Sequence, residues 1–412
     1  MKKVAIFSLL LIAGLVGSQL LPLLPKEVSS PLAFVVDILT LVGLAFIMIH
    51  VGYEFEIDKT RMKSYGWDYV VAMTAAAFPW IFVALYFLFV MLPPAEWGHW
   101  GAWKEVLLVS RFAAPTSAGV LFSMLAAAGL SATWVFRKAR ILAIFDDLDT
   151  VLLMIPLTML IVGPAWQLGV LVLIMAVMLF LAWRFLHVWR IPVSWPWVMG
   201  YAAAVVAATE GFYHLTKNFG DVPIHVEVLL PAFVMGCVMS RPGGSDPHRD
   251  DPRPGHQEGP EDPTEQKVST VVSGAFMLFV GLSMPAIFGE AEPAKSILGQ
   301  TITAAQPMPG FGIIALHVAV VTVISNLGKM FPAFCYRGEA HRRERVATAI
   351  GMWPRGEVGA GVVVISLGYG VGGPAVTVAV LSLALNLLLT GFFIWIVKRL
   401  IRGVPPANRN SR

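Results

Sequence analysis

Apolar residues in this chain come in long runs separated by short polar stretches. Twelve runs stand out, at about 4–24, 31–52, 66–92, 104–128, 134–163, 166–188, 195–216, 222–241, 268–288, 310–336, 346–370 and 373–401. A helix of about 20 mostly apolar residues is what crosses a bilayer core, where no water satisfies backbone N–H and C=O groups. The run from Val170 to Leu181 is apolar at every position, so it lacks the alternation of a transmembrane β-strand. The pattern therefore predicts an all-α polytopic membrane protein with about 12 transmembrane helices. The start, Met1-Lys2-Lys3 before a short apolar core, resembles a signal peptide. The apolar run continues through Leu24 without a small-x-small cleavage site, so it reads as a retained first helix.

Composition agrees with this pattern. Hydrophobic residues make up 57% of the 412 positions and charged residues 14%, too little polar surface to cover a soluble globule. The basic residues orient the spans. Of the 30 Lys and Arg, 23 fall in the segments that face inward if the N-terminus is inside, and four, Lys26, Lys104, Lys217 and Lys295, face outward. Arg111, Lys329 and Arg355 fall within spans. Cytoplasmic loops accumulate Lys and Arg, so both termini are expected on the cytoplasmic side of a bacterial inner membrane. The net charge of +4 follows from that bias and implies no nucleic acid. Cys237 and Cys335 suggest neither a disulfide framework nor a zinc site.

Residues 242–266 differ from the rest. Their Pro, Gly and charge content cannot bury apolar surface, and a disordered cytoplasmic loop is expected. The loop lies within the second of two possible five-helix repeats, spans 1–5 and 8–12. An offset of seven spans would give these repeats opposite orientations, the inverted plan of many secondary transporters. Spans 4 and 11 both carry breakers, Ala113-Ala114-Pro115-Thr116-Ser117 and Pro354-Arg355-Gly356-Glu357-Val358-Gly359-Ala360-Gly361. Pro removes a helical donor and Gly weakens the helix, so each span is expected to unwind and free backbone groups for an ion.

Charges within spans are costly and need a partner, water or a function. Span 5 places Asp146 and Asp147 side by side with Asp149 three residues on, span 10 supplies Lys329, and span 11 supplies Arg355 and Glu357. Two adjacent carboxylates can hold a proton or a bare cation in competition, the requirement for an exchanger. Their hard oxygens suit Na⁺ or Li⁺, with Thr116, Ser117 and unwound carbonyls completing the shell. Asp149 lies on nearly the same helical face as Asp146, as an accessory carboxylate. Asp37, Glu210 and Glu227 lie nearer span ends and suit structural roles, and His317 reads as a packed, hydrogen-bonded histidine. No His-Glu-x-x-His or Gly-x-Ser-x-Gly motif accompanies the aspartates, so an enzyme is not expected, nor any cofactor beyond the substrate ions.

At these residues the sequence resembles the monovalent cation:proton antiporter superfamily, in particular bacterial Na⁺/H⁺ antiporters with a paired-aspartate site. The landmarks are Pro115-Thr116-Ser117, Asp146-Asp147, Lys329 and Met352-Trp353-Pro354-Arg355-Gly356-Glu357-Val358-Gly359, with weaker matches at Gly52–Asp58 and Phe279–Pro285. The resemblance implies a homodimer, with a core domain of about spans 3–5 and 10–12 and a dimerisation domain from the remainder. The core would move as an elevator and expose Asp147, the principal cation ligand, to each side in turn. Asp146 would be the salt-bridge partner of Lys329. Two aspartates with the lysine imply electrogenic exchange. The superfamily also holds K⁺-coupled members, and Asp149-Thr150 departs from its usual apolar continuation. Few residues follow span 12, so no soluble nucleotide-binding domain of the potassium-efflux kind is expected.

Overall fold

The computed structural model describes residues 2–54, 62–117, 120–121, 124–125, 128–130, 132–162, 166–216, 226, 228–240, 263–283 and 301–402. Among them the regular structure is helical, apart from an isolated bridge between Trp189 and Met239. In chain order the helices are α1 (Lys2–Leu20), α2 (Lys26–Glu54), α3 (Met62–Tyr86), α4 (Trp100–Ser110), α5 (Trp134–Val162), α6 (Trp166–Arg184) and α7 (Trp195–Thr216). They continue with α8 (Leu229–Val238), α9 (Pro263–Leu282), α10 (Phe311–Gly328), α11 (Arg342–Gly351), α12 (Glu357–Gly368) and α13 (Gly373–Arg402).

These helices fall on the expected spans, with two qualifications. The eleventh span is two helices, α11 and α12, and the fourth stops being α-helical at Ser110. Among the described residues, four stretches qualify as full crossings by length and apolar composition alone: Glu27–Tyr53, Tyr65–Met91, Phe311–Ala333 and Gly373–Arg402. The break divides span 11, and α5 carries three aspartates and three basic residues. Most of the Pro/Gly-rich stretch expected over 242–266 lies outside the described residues. Its last four residues instead form the first turn of α9, where the Glu265 carboxylate accepts a hydrogen bond from Trp195 N at 2.8 Å.

The chain forms two compact units. The first holds Met1–Leu23, Asp58–Ile161 and Val280–Arg412. In it α10 packs against α3 and α13, while α1 and α11 also pack along α13. Fully buried Ala72, Ala75 and Ala76 on α3 provide the small-residue surface that close membrane-helix packing favours. The second holds Leu24–Ile57 and Val162–Phe279, in which α2 packs on α7 and α8. There α2 and α8 meet backbone to backbone. A Cβ at Gly52 would lie 2.1 Å from Phe233 O, and one at Gly236 2.0 Å from Ile49 O, so only glycine fits either position. Cys237 and Cys335 are buried free thiols.

Candidate ion-exchange site

The site lies in the first unit, where two helices lose their backbone pairing. After α4 a 3₁₀ turn, Arg111–Ala113, closes with Ala114 N donating to Arg111 O, and Ala114–Ser117 are not helical. Pro115 supplies the cause, since it has no N–H to donate and its ring clashes with the preceding turn. Between α11 and α12 the chain is unwound from Met352 to Gly356, around Pro354 and Gly356. The two breaks satisfy each other's freed groups. Ser117 N donates to Pro354 O at 2.9 Å, and Thr116 Oγ1 donates to Met352 O at 3.0 Å. The carbonyls expected as ion ligands are therefore already engaged, although each retains a second lone pair.

The α5 helix aims Asp146 at this crossing. Asp146 Oδ2 accepts from Thr116 N at 2.7 Å and from Lys329 Nζ at 2.6 Å, and both side chains of the ion pair are fully buried. Lys329 caps the C-terminus of α10, where Gly328 ends the helix and a 3₁₀ turn follows. Asp146 Oδ1 is buried and has no hydrogen-bond partner among the described residues. A desolvated carboxylate oxygen normally finds a donor, so this one is left with capacity for a proton or a cation. Thr150, one turn on, donates its hydroxyl to Asp146 O. Asp147 lies beside Asp146 on α5 and Glu357 opens α12, but their side chains lie outside the described residues.

Two arginines frame the crossing. Arg355 is fully buried and reaches four acceptors: Nε donates to Ala113 O (2.8 Å), Nη1 to Asn326 Oδ1 (2.6 Å) and Trp353 O (3.3 Å), and Nη2 to Ser325 O (2.8 Å). It thereby clamps both breaks to the end of α10, a use of the guanidinium's rigid fork of donors. Arg111 Nη2 donates to Asp149 O at 2.9 Å and lies 3.4 Å from Asp149 Oδ2, while its guanidinium rests 4.8 Å over the Trp80 ring. Asp149 is therefore the counter-charge of Arg111.

Broken helices crossing over a buried Asp–Lys pair lead to a comparison with known proteins. The profile of the family described as sodium/hydrogen exchanger, transmembrane, matches residues 2–394. The chain belongs to the sodium/hydrogen exchanger family. Among solved structures it shares its fold with the sodium proton antiporter MjNhaP1 from Methanocaldococcus jannaschii at pH 8, with a TM-score of 0.58 and 13% identity over 94% of this chain and 92% of that one. No curated protein matches the chain. Family membership makes it a polytopic membrane protein of a family of cation/proton antiporters.

Within this exchanger the remaining expectations sort readily. Ser117 is buried, and its Oγ accepts from Val120 N at 3.4 Å where the helix resumes. His317 pairs its Nδ1 with Tyr86 OH at 2.8 Å, the packed role expected of it. Asp37 is exposed on α2 and Glu210 half-buried on α7, while Glu227 lies outside the described residues. Sequence reasoning missed a second buried Asp–Lys pair. Lys138 Nζ lies 3.0 Å from Asp68 Oδ1 and 3.1 Å from Glu339 Oε2, and Tyr336 OH donates to Asp68 Oδ1 at 2.8 Å. Lys138 precedes Asp146 by eight residues on α5, about 12 Å along the helix. It counted only as one of the inward basic residues, and Asp68 near the start of α3 carried no motif. The available signal was an acid close to a span end with a lysine at the end of another span.

Proposed function

We propose that this chain is a secondary active antiporter that exchanges Na⁺ or Li⁺ for protons at Asp146 and Asp147, electrogenically and by elevator-type alternating access. The observation that carries the reading is the buried Asp146 Oδ1, unpartnered among the described residues, beside an Oδ2 already held by Lys329 and Thr116 N. A carboxylate held on one side and unsatisfied on the other accepts either a proton or a hard monovalent cation, and the two exclude each other. Asp147 is the principal cation ligand in this reading, and Thr116 and Ser117 lie at the backbone that cradles the ion. Arg355 holds the opened backbone, and Glu357 and Asp149 take supporting roles in this reading. Lys329 is the salt-bridge partner of Asp146, so loading with a cation or a proton alters that pair. The working unit is a homodimer in a bacterial inner membrane with both termini cytoplasmic.

The test is proton flux in reconstituted vesicles. Acid-loaded proteoliposomes are expected to release protons when Na⁺ or Li⁺ is added outside, more strongly than with K⁺, at a rate that responds to an imposed membrane potential. Silence with Na⁺, Li⁺ and K⁺ alike would overturn exchange. A response confined to K⁺ would replace the substrate, and indifference to the potential would replace the electrogenic reading with an electroneutral one.

A further inference from the structure

Away from the exchange site, the C-terminal end of α13 carries a cleft that the transport reading does not use. It has a volume of about 420 Å³ and is lined by Arg343, Trp395, Ile396, Arg399 and Leu400. Three large apolar residues lead to it along one face of the helix: Leu388, Phe392 and Trp395, at 49%, 54% and 52% exposure. Their spacing of four and three residues is that of a single helical stripe. The rings of Phe392 and Trp395 stack at 5.7 Å, and the Arg399 guanidinium lies 5.5 Å from the Trp395 ring. Arg343 reaches the same cleft from the first turn of α11. A capping box fixes that turn, with Arg343 N donating to His341 Nδ1 and His341 N to Glu344 Oε2.

We infer that this cleft binds an anionic glycerophospholipid of the bilayer, its phosphodiester between Arg343 and Arg399 and an acyl chain along Trp395, Phe392 and Leu388. The stripe lies on a helix long and apolar enough to cross a membrane, so acyl chains are its natural cover. Tryptophan favours the interface at which such a stripe ends. Guanidiniums match phosphate oxygens bidentately. A zwitterionic headgroup brings its own cation to that position and is disfavoured. The lipid would bridge α11 and α13. It would also bear on the break, because Phe393, beside the stripe, sets its ring edge-on to Trp353 at 5.1 Å.

The inference depends on membrane residence and not on which ion is exchanged, and a binding readout tests it apart from transport. Full-length protein is purified from mixed phosphatidylglycerol and phosphatidylcholine nanodiscs, and its retained lipid is measured by native mass spectrometry. Phosphatidylglycerol is expected to be retained selectively and to raise the thermal midpoint in micelles. The R343Q/R399Q variant is expected to weaken that retention by roughly thirty-fold, the worth of two interfacial basic residues, while circular dichroism stays unchanged. R343K/R399K keeps the charge without the planar fork and is expected to fall between. Three results overturn the inference: equal retention of both lipids, unchanged phosphatidylglycerol retention in R343Q/R399Q, or displacement of the lipid by inorganic phosphate, which would mark a soluble-anion site.

Discussion

Two buried Asp–Lys pairs, each with one member on α5, differ in how fully they are bonded. At Asp68–Lys138 every oxygen of the aspartate is used, Oδ1 by Lys138 and Tyr336 and Oδ2 by Lys138 at 3.3 Å. The ammonium is shared with Glu339 and lies 4.4 Å from the Tyr336 ring centroid. At Asp146–Lys329 the ion pair is shorter and more deeply buried, yet Oδ1 has no partner among the described residues. A fully satisfied polar cluster rigidifies its surroundings, whereas a partly satisfied one is a costly feature that needs a reason. The first pair fastens the ends of α3 and α5 to the chain that follows α10. The second is the pair that trades partners in the proposed function. The difference lies in the completeness of the hydrogen bonding, not in the residue types.

Four substitutions test that contrast. The largest effect is expected of Asp146→Asn. It takes the carboxylate away from Lys329 and from the exchanging ion, so vesicle proton flux should fall to background. Breaking a buried pair also costs about 3–5 kcal/mol, visible as a lower thermal midpoint; near-normal flux would erase the distinction between the pairs. Arg355→Lys should come next. A lysine cannot span Ala113 O, Asn326 Oδ1 and Ser325 O, and stranding buried acceptors is expected to cost about 2–4 kcal/mol. Slowed exchange with this loss would place the clamp among the residues that position the site, while unchanged stability would remove it. Asp68→Asn should lower stability by about 1–3 kcal/mol yet keep exchange at saturating cation; loss of exchange in a folded protein would show that the second pair also takes part.

The smallest effect is expected of Tyr336→Phe, about 1 kcal/mol for one lost hydrogen bond, again in the thermal midpoint. Tyr336 lies beyond the Phe311–Ala333 crossing. Burial, and then the Asp68 carboxylate, push its phenol well above the usual tyrosine range. A raised phenol stays protonated and keeps donating throughout neutral pH, so the pH profile of exchange should be the same with and without it. A shifted profile would mean that the fastening pair senses protons.

The helices were legible because lipid imposes a simple rule: a backbone that cannot reach water must close its own hydrogen bonds over a full membrane thickness. Apolar runs therefore mark α2, α3, α10 and α13 directly, and Pro115 and Pro354 mark where two spans fail. Asp146, Lys329 and Arg355 were legible for a related reason, since a charge within an apolar run is too costly to be incidental. Partners were not legible. That Asp149 answers Arg111, that Arg355 serves carbonyls instead of a carboxylate, and that Asp68 meets Lys138 across 70 residues of sequence depend on which helix faces lie together.

By itself, then, the sequence determined the membrane environment, the helices, the places where they break and which residues carry buried charge. All of these follow from local composition and from the cost of polar groups in lipid. Only the tertiary structure decided that the two breaks cross, that each satisfies the other's freed groups, and that one oxygen of Asp146 is left over. The pairing of donors with acceptors is a property of distances between segments far apart in the chain, and no local pattern encodes it.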